Sequence, residues 1–300
     1  MWIKLHKPLI VSFAVLFPAW PIVVLAGGPP EANGWLSSVN LAYAWQGRGN
    51  LEDGGDFSVD RGVIEFEAMR RIDDEWSMGF SVGYGEDHYS FSQSTPVAGW
   101  GDIRTAQLGV SLRYKINEQW TTFGLPILRY SAEHDADLGD GREIGLLAGT
   151  SFRLSEKLTL GPGFGLFSGI GGEEDVFPIL LVDWALSPTL SLKTGRGLAA
   201  SRGPGLALKW QPSRSWEFGL AARYEKSRFH LEKEDRIGED RAVPVILTAQ
   251  WRMNPTVSFS VLAGFETSGK LSVENAAGDR LYNRSYDTAP LSGVVASMRF

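Results

Sequence analysis

Three histidines beyond the first segment, His88, His134 and His230, each stand beside acids: Asp87 for the first, Asp135 and Asp137 for the second, Glu232 for the third. An imidazole next to a carboxylate can serve as a general base, and several imidazoles at one place can ligate a metal. Solvated loops carry the same residues, and the three histidines lie on segments that are not neighbours in chain order, so they are not expected to meet. Cysteine is absent (Cys 0), which removes thiol nucleophiles, thiolate metal sites and disulfides. The glycine-rich run from Gly161 to Gly172 lacks the Gly-Lys-Ser/Thr ending of a phosphate loop, and no serine is read as part of a Gly-x-Ser-x-Gly elbow. No cofactor and no metal site is expected.

The other chemistry-bearing residues are charges at alternate positions. Arg71, Arg113, Lys115, Arg153, Lys209, Arg252 and Arg299 form a cationic set, and Glu65, Glu67, Asp183, Glu217, Glu225 and Glu266 an acidic one. The elements that carry them have a period of two, the signature of strands with one apolar and one polar face. Trp76, Met78, Phe80, Val82 and Tyr84 alternate with Ser77, Gly79, Ser81, Gly83 and Gly85. Ala106 to Lys115, Trp216 to Glu225 and Val257 to Glu266 repeat the scheme, with Leu262 as an exception.

A recurring turn joins these strands. Ile72-Asp73-Asp74-Glu75-Trp76, Ile116-Asn117-Glu118-Gln119-Trp120, Leu154-Ser155-Glu156-Lys157-Leu158, Leu186-Ser187-Pro188-Thr189-Leu190 and Met253-Asn254-Pro255-Thr256-Val257 share one plan, and Gln211 to Trp216 is a longer version. Each is an apolar residue, turn formers, then an apolar residue that opens the next strand. Segments 35–46, 59–72, 76–90, 103–116, 120–132, 143–154, 157–168, 177–187, 189–197, 204–211, 215–229, 243–253, 256–269 and 289–300 give about 14 strands, with 12–16 as the range. The start, Met1 to Ala26, has Lys4 and Lys7 before an apolar run and ends in Val24-Leu25-Ala26, the pattern of an export signal. Residues 27–300 then form one domain, and the short stretch before Trp35 leaves no room for a plug ahead of the first strand.

Composition agrees. Mean hydropathy of −0.10 with 21% charged residues is too polar for a bundle of apolar transmembrane helices. A net charge of −6 argues against nucleic acid as a partner. Aromatic residues stand beside the short turns: Trp76, Trp120, Trp184, Trp210, Trp216, Trp251, Tyr114 and Phe152. A soluble sandwich has no reason to ring one end with tryptophan, whereas a membrane barrel places aromatic girdles at its interfaces.

The chain ends Val294-Val295-Ala296-Ser297-Met298-Arg299-Phe300, alternating and closing on an aromatic. Together with the leader, the even strand number and the short turns, this resembles Gram-negative outer-membrane β-barrels, including uncharacterised porin-like families and those named after aromatic-degradation operons. The resemblance implies an all-β, up-and-down antiparallel transmembrane barrel in the bacterial outer membrane. It implies Phe300 as part of the signal read by the barrel-assembly machinery, and lipid and lipopolysaccharide as surroundings. The expected function is a passive or weakly selective channel for small solutes; the alternatives are a hydrolase at the outer rim or a structural or adhesive barrel with a closed lumen.

Within such a barrel, Arg71, Arg113, Lys115, Arg153, Lys209 and Arg252 with Glu65, Glu67 and Glu217 line the lumen, as an electrostatic filter or as a salt-bridge ladder. Inward glycines (Gly79, Gly83, Gly109, Gly145, Gly149, Gly161, Gly163, Gly165) are expected to leave room for a narrow passage. The long connections are acidic as a set, suited to bridging by divalent cations or simply to solvation.

Overall fold

The computed structural model describes residues 34–92, 100–172, 174–194 and 203–300. The expected export segment, 1–26, lies outside them. The described chain forms sixteen strand segments: β1 Trp35–Asn50, β2 Asp56–Arg71, β3 Trp76–Phe91, β4 Ile103–Lys115, β5 Trp120–Glu133, β6 Arg142–Arg153, β7 Leu158–Ser168, β8 Glu174–Ala185, β9 Leu190–Thr194, β10 Gly205–Trp210, β11 Trp216–Arg223, β12 Glu225–Leu231, β13 Arg236–Arg252, β14 Val257–Glu274, β15 Arg280–Tyr286 and β16 Ala289–Arg299.

Two pairs of segments are single strands with an interruption. β11 and β12 flank Tyr224 and both pair with β13, while β15 and β16 flank Asp287 and Thr288 and both pair with β14. The result is a 14-stranded antiparallel barrel in chain order, closed by β1 against β16 from Ser38↔Arg299 to Gln46↔Leu291. Reciprocal bonds between Ser37 and Phe300 (2.9 and 3.0 Å) finish the seam.

The short turns have a local cause that the repeated sequence encodes. In the five-residue turns, the second residue's side-chain oxygen accepts backbone N–H groups further on, an Asx or Ser turn. Asp73 accepts from Glu75 and Trp76 (2.8 and 2.6 Å), Asn117 from Gln119 and Trp120 (both 2.9 Å), and Asn254 from Thr256 and Val257 (2.8 and 2.7 Å). Ser187 does the same for Thr189 and Leu190.

Alternation then sorts the faces. Ile64, Phe80, Val82, Leu108, Phe164, Leu180, Leu220, Leu247, Val261 and Val294 are exposed on the outside. At the turn end they are bounded by exposed Trp35, Trp76, Trp120, Trp184, Trp210, Trp216 and Trp251. Several meet an aromatic partner across the strand, as Trp76 does Tyr114 (4.6 Å between ring centres) and Trp120 does Phe152 (4.8 Å). An apolar band edged by aromatic rings fits the hydrocarbon core of a bilayer.

At the opposite end the strands outrun the band. The connection expected over 47–58 is mostly strand, because β1 continues to Asn50 and β2 starts at Asp56. Leu180, at mid-height on β8 and 64% exposed, tests the lipid-facing assignment. Leu180→Arg is expected to destabilise the barrel in lipid by about 2–4 kcal/mol, measured by denaturant unfolding. A charge at Ala221, on the inward face of β11, should cost far less.

Candidate functional site

The lumen is furnished differently along its length. At the loop end, inward side chains from both sides of the barrel fill it. Phe57 and Val59 of β2, Tyr89 of β3, Ile103 of β4, Phe229 and Leu231 of β12, Leu271 and Val273 of β14 and Tyr286 of β15 form one buried cluster with Trp100. Aromatic rings set its geometry, with Phe57 edge-on to Tyr286 at 4.8 Å and Trp100 edge-on to Phe229 at 5.1 Å.

Beneath this cluster lies a buried ionic knot. The Arg61 guanidinium donates to Glu266 (2.6 Å), the Gln46 carbonyl (2.9 Å) and Asp240 (3.3 Å). Tyr89 and Tyr286 donate to Asp240 as well (2.9 and 3.3 Å). The knot ties β1, β2, β3, β13, β14 and β15 together across the interior. A buried guanidinium is stable only when its donors are met by acceptors, and here two carboxylates and an amide meet them.

β12 departs from the wall. Past Tyr224 it leans over the mouth and pairs in parallel with β5, His230 opposite Ala132, nearly half the circumference away in strand order. Glu232 N–H donates to Glu133 at 3.0 Å. Arg228 on this strap reaches Glu274 (2.8 Å), Glu239 (3.4 Å) and the Ile170 carbonyl (3.3 Å), and Lys226 pairs with Asp175 (2.8 Å). The strap brings β12 to β5, which strand order alone does not. Because β12 crosses the mouth, His230 comes to the strand that ends just before His134.

His88 stays apart on the outer face of β3, its Nδ1 2.8 Å from Asp102. Among the described residues no three His, Cys, Asp or Glu side chains form a metal-ligating group. The segment Gly79-Phe80-Ser81-Val82-Gly83 does spell Gly-x-Ser-x-Gly, contrary to the reading above. It runs through the middle of β3 rather than a strand-to-helix turn, so Ser81 is not presented as a nucleophile.

At mid-height the wall has two apolar patches. Leu125, Ile127, Leu147, Phe167 and Ile179 cluster on β5 to β8, with Phe123, Phe177 and Leu181 against them. Ala42, Ala44, Ile246, Leu262, Leu291 and Val295 cluster on β1, β13, β14 and β16, half a turn around the barrel. The glycines opposite the first patch do not leave the expected room. A Cβ on Gly145 would overlap the Phe167 ring and one on Gly165 the Phe177 ring, so the aromatic side chains already occupy that space.

Toward the turn end, inward residues regain solvent contact, with Arg113 and Arg153 exposed and Ser77, Thr121, Thr159, Asp183, Glu217, Arg252 and Ser258 half-buried. Several of the expected lumen charges are spent on one another there. Glu217 accepts from Lys209 (2.8 Å) and Arg252 (2.7 Å), and Lys193 pairs with Asp183. Arg71 turns to Asp74 and Lys115 to Glu118, both at 2.6 Å within turns. The Lys115 bond holds the Glu118 carboxyl below its ordinary range. Glu65 and Glu67 face inward from β2 at the level of the membrane band. Phe300 ends the last strand with its ring exposed (62%) near Phe66. The sequence held no signal for the knot, in which bonded residues lie up to 205 positions apart (Arg61 to Glu266).

A closed antiparallel barrel with an apolar outer band and an aromatic girdle defines an outer-membrane β-barrel of the bacterial envelope. No family model and no curated protein matches the chain. Among solved structures, it is similar to the COG4313 outer membrane channel from Pseudomonas putida F1, with a TM-score of 0.51, 11% identity and coverage of 95% of this chain and 98% of that one. It is similar also to a Pseudomonas aeruginosa FadL homologue, with a TM-score of 0.53, 11% identity and coverage of 89% and 90%. At such identity the likeness is one of fold.

Removing Arg61 would strand Glu266 and Asp240 as buried charges. Arg61→Leu is expected to destabilise the barrel by about 3–5 kcal/mol, with partial recovery when Glu266→Gln is added; denaturant unfolding of each variant in the same micelles measures both.

Proposed function

We propose that this barrel is a passive, weakly selective channel for small solutes, closed at its outer mouth by the β12 strap in the conformation described. The observation that carries the reading is the division of the lumen. A solvent-accessible half at the turn end leads between two apolar wall patches to an outer half filled by the aromatic cluster and the ionic knot, with one strand that has left the wall lying over the mouth. Of the two solved structures with the same fold named above, the COG4313 protein from Pseudomonas putida F1 is a channel by name. Pairing of Lys209, Arg252 and Glu217 supports weak charge selection, because a paired wall offers a passing ion little net field. The apolar patches favour solutes with little charge. The reading is of a non-enzyme.

One observation favours a second reading: the aromatic cluster and ionic knot fill the outer half as a core fills a soluble domain, which suits a structural barrel with a closed lumen. Partners in either case are outer-membrane lipid, lipopolysaccharide and, during assembly, the barrel-assembly machinery, with Phe300 as the terminal signal. Deleting Phe300 is expected to lower the amount of barrel in outer-membrane fractions several-fold.

A strap lock separates the readings, and a chain with no native cysteine (Cys 0) makes it clean. Ala132 and His230 are cross-strand partners, within the range a disulfide spans. In planar bilayers the wild type should show discrete openings. Oxidised Ala132→Cys/His230→Cys should show none, and reduction should restore them. Openings indifferent to the lock would remove the strap as the gate. Silence of the wild type and of the reduced variant would leave the closed structural barrel.

A further inference from the structure

One stretch of lumen wall carries oxygen atoms that nothing in the protein answers. Asn40 and Ser38 on β1, Glu65 and Glu67 on β2, Ser81 on β3 and Ser297 on β16 all face inward. The register sets them in two adjacent rows, Asn40 opposite both Glu65 and Ser297, and Glu67 opposite both Ser38 and Ser81. Facing partners across antiparallel strands lie about 4.5–5.5 Å apart at Cα, and the two glutamates, two positions apart on one face, about 7 Å. The patch is therefore small enough for its side-chain oxygens to converge.

All its members but the half-buried Glu67 are withdrawn from water: Asn40 is 8% exposed, Glu65 7%, Ser81 7%, Ser297 5% and Ser38 2%. Asn40 Oδ1 is buried without a hydrogen-bond partner. Among the described residues neither Glu65 nor Glu67 takes part in a hydrogen bond or ion pair. Arg61, higher on the same face of β2, is engaged by Glu266, Asp240 and Gln46, and Arg299 stands across from Ser38 one strand beyond Glu67's neighbour. Gln107 of β4 leans over Gly83, its Nε2 3.0 Å from where a Cβ would stand, so the glycine beside Glu65 keeps that corner open to an amide. A buried carboxylate (Glu65), a half-buried one beside it (Glu67) and an orphaned buried amide oxygen ask for a positive charge.

We propose that this wall holds a divalent, oxygen-seeking cation of the calcium type, ligated by Glu65, Glu67 and Asn40 Oδ1, with hydroxyls of Ser38 or Ser81 and water completing the shell. The donor set decides the class. It is all oxygen, with two negative charges and an amide carbonyl, as hard cations prefer, and it holds no imidazole or thiolate to favour zinc or copper. The cation would link β1 to β2 beside the barrel seam and neutralise the two neighbouring glutamates.

The test uses the mature chain refolded in detergent, stripped with chelator and titrated calorimetrically with calcium chloride. Acidic outer loops also bind calcium, so the comparison is with Glu65→Gln/Glu67→Gln, which removes the like-charge contact and leaves the loops intact. The wild type should bind one calcium more per barrel than the double variant. Calcium should raise the unfolding temperature of the wild type more than that of the variant, since a ligand held only by the folded state stabilises it. Asn40→Leu should weaken the extra site at least tenfold. Should the double variant not fold, as read by its heat-modifiable gel mobility, Asn40→Leu and Glu67→Gln alone carry the comparison. Equal stoichiometry and affinity in wild type and variants, or no calcium uptake by the wild type at millimolar concentrations, would overturn the site and leave two glutamates sharing a proton.

Discussion

In hydrocarbon a backbone N–H or C=O without a partner costs several kcal/mol, so a sheet can cross a bilayer only when its first and last strands meet. Closure of β1 on β16 is therefore the constraint from which the rest of the molecule follows. With the sheet closed, the outward side chains are free to be purely apolar, and the tryptophans gather where that band meets water. The bonds between Ser37 and Phe300 show how far the demand reaches, since the final residue itself is used to complete the seam.

Closure also decides what kind of interior the chain can have. A lumen lined by alternate residues of fourteen strands is a second environment, shielded from lipid and only partly from water. Side chains expelled from the outer face collect there, and the chain uses them in layers: ion pairs at the turn end, apolar patches at mid-height, an ionic knot and an aromatic core beneath the mouth. The knot around Arg61 is a costly kind of joint, because burying charge is repaid only by complete partnering. It joins six strand segments, and that breadth makes its integrity a property of the whole outer half.

Among the described residues, the strap is the place where a strand gives up its wall position. The interruption at Tyr224 lets β12 turn inward while keeping its ladder with β13, so the backbone stays satisfied during the excursion. Its far end gains a bridge to β5 and charge pairs to the neighbouring connections. This arrangement places the strap above the cylinder of wall strands.

Strand number, facing and turn position were legible in the sequence because each has a local cause. Side chains alternate with a period of two, and an Asp, Asn or Ser two positions into a turn captures the N–H groups that follow it, so Asp73, Asn117, Ser187 and Asn254 announce the hairpins without knowledge of the rest. The inward direction of Glu65, Lys209, Glu217 and Arg252 came from the same alternation. What those side chains touch did not. Gly145 reads as empty space until Phe167 of the next strand lies over it, and Arg61 reads as one more polar position until Glu266 arrives from the far side of the seam. His230 reads as a distant loop residue until its strand crosses the mouth to β5. Period and turn are properties of neighbours along the chain, whereas the filling of a lumen depends on which strands face each other across it, and that is set only when the sheet has curved and closed.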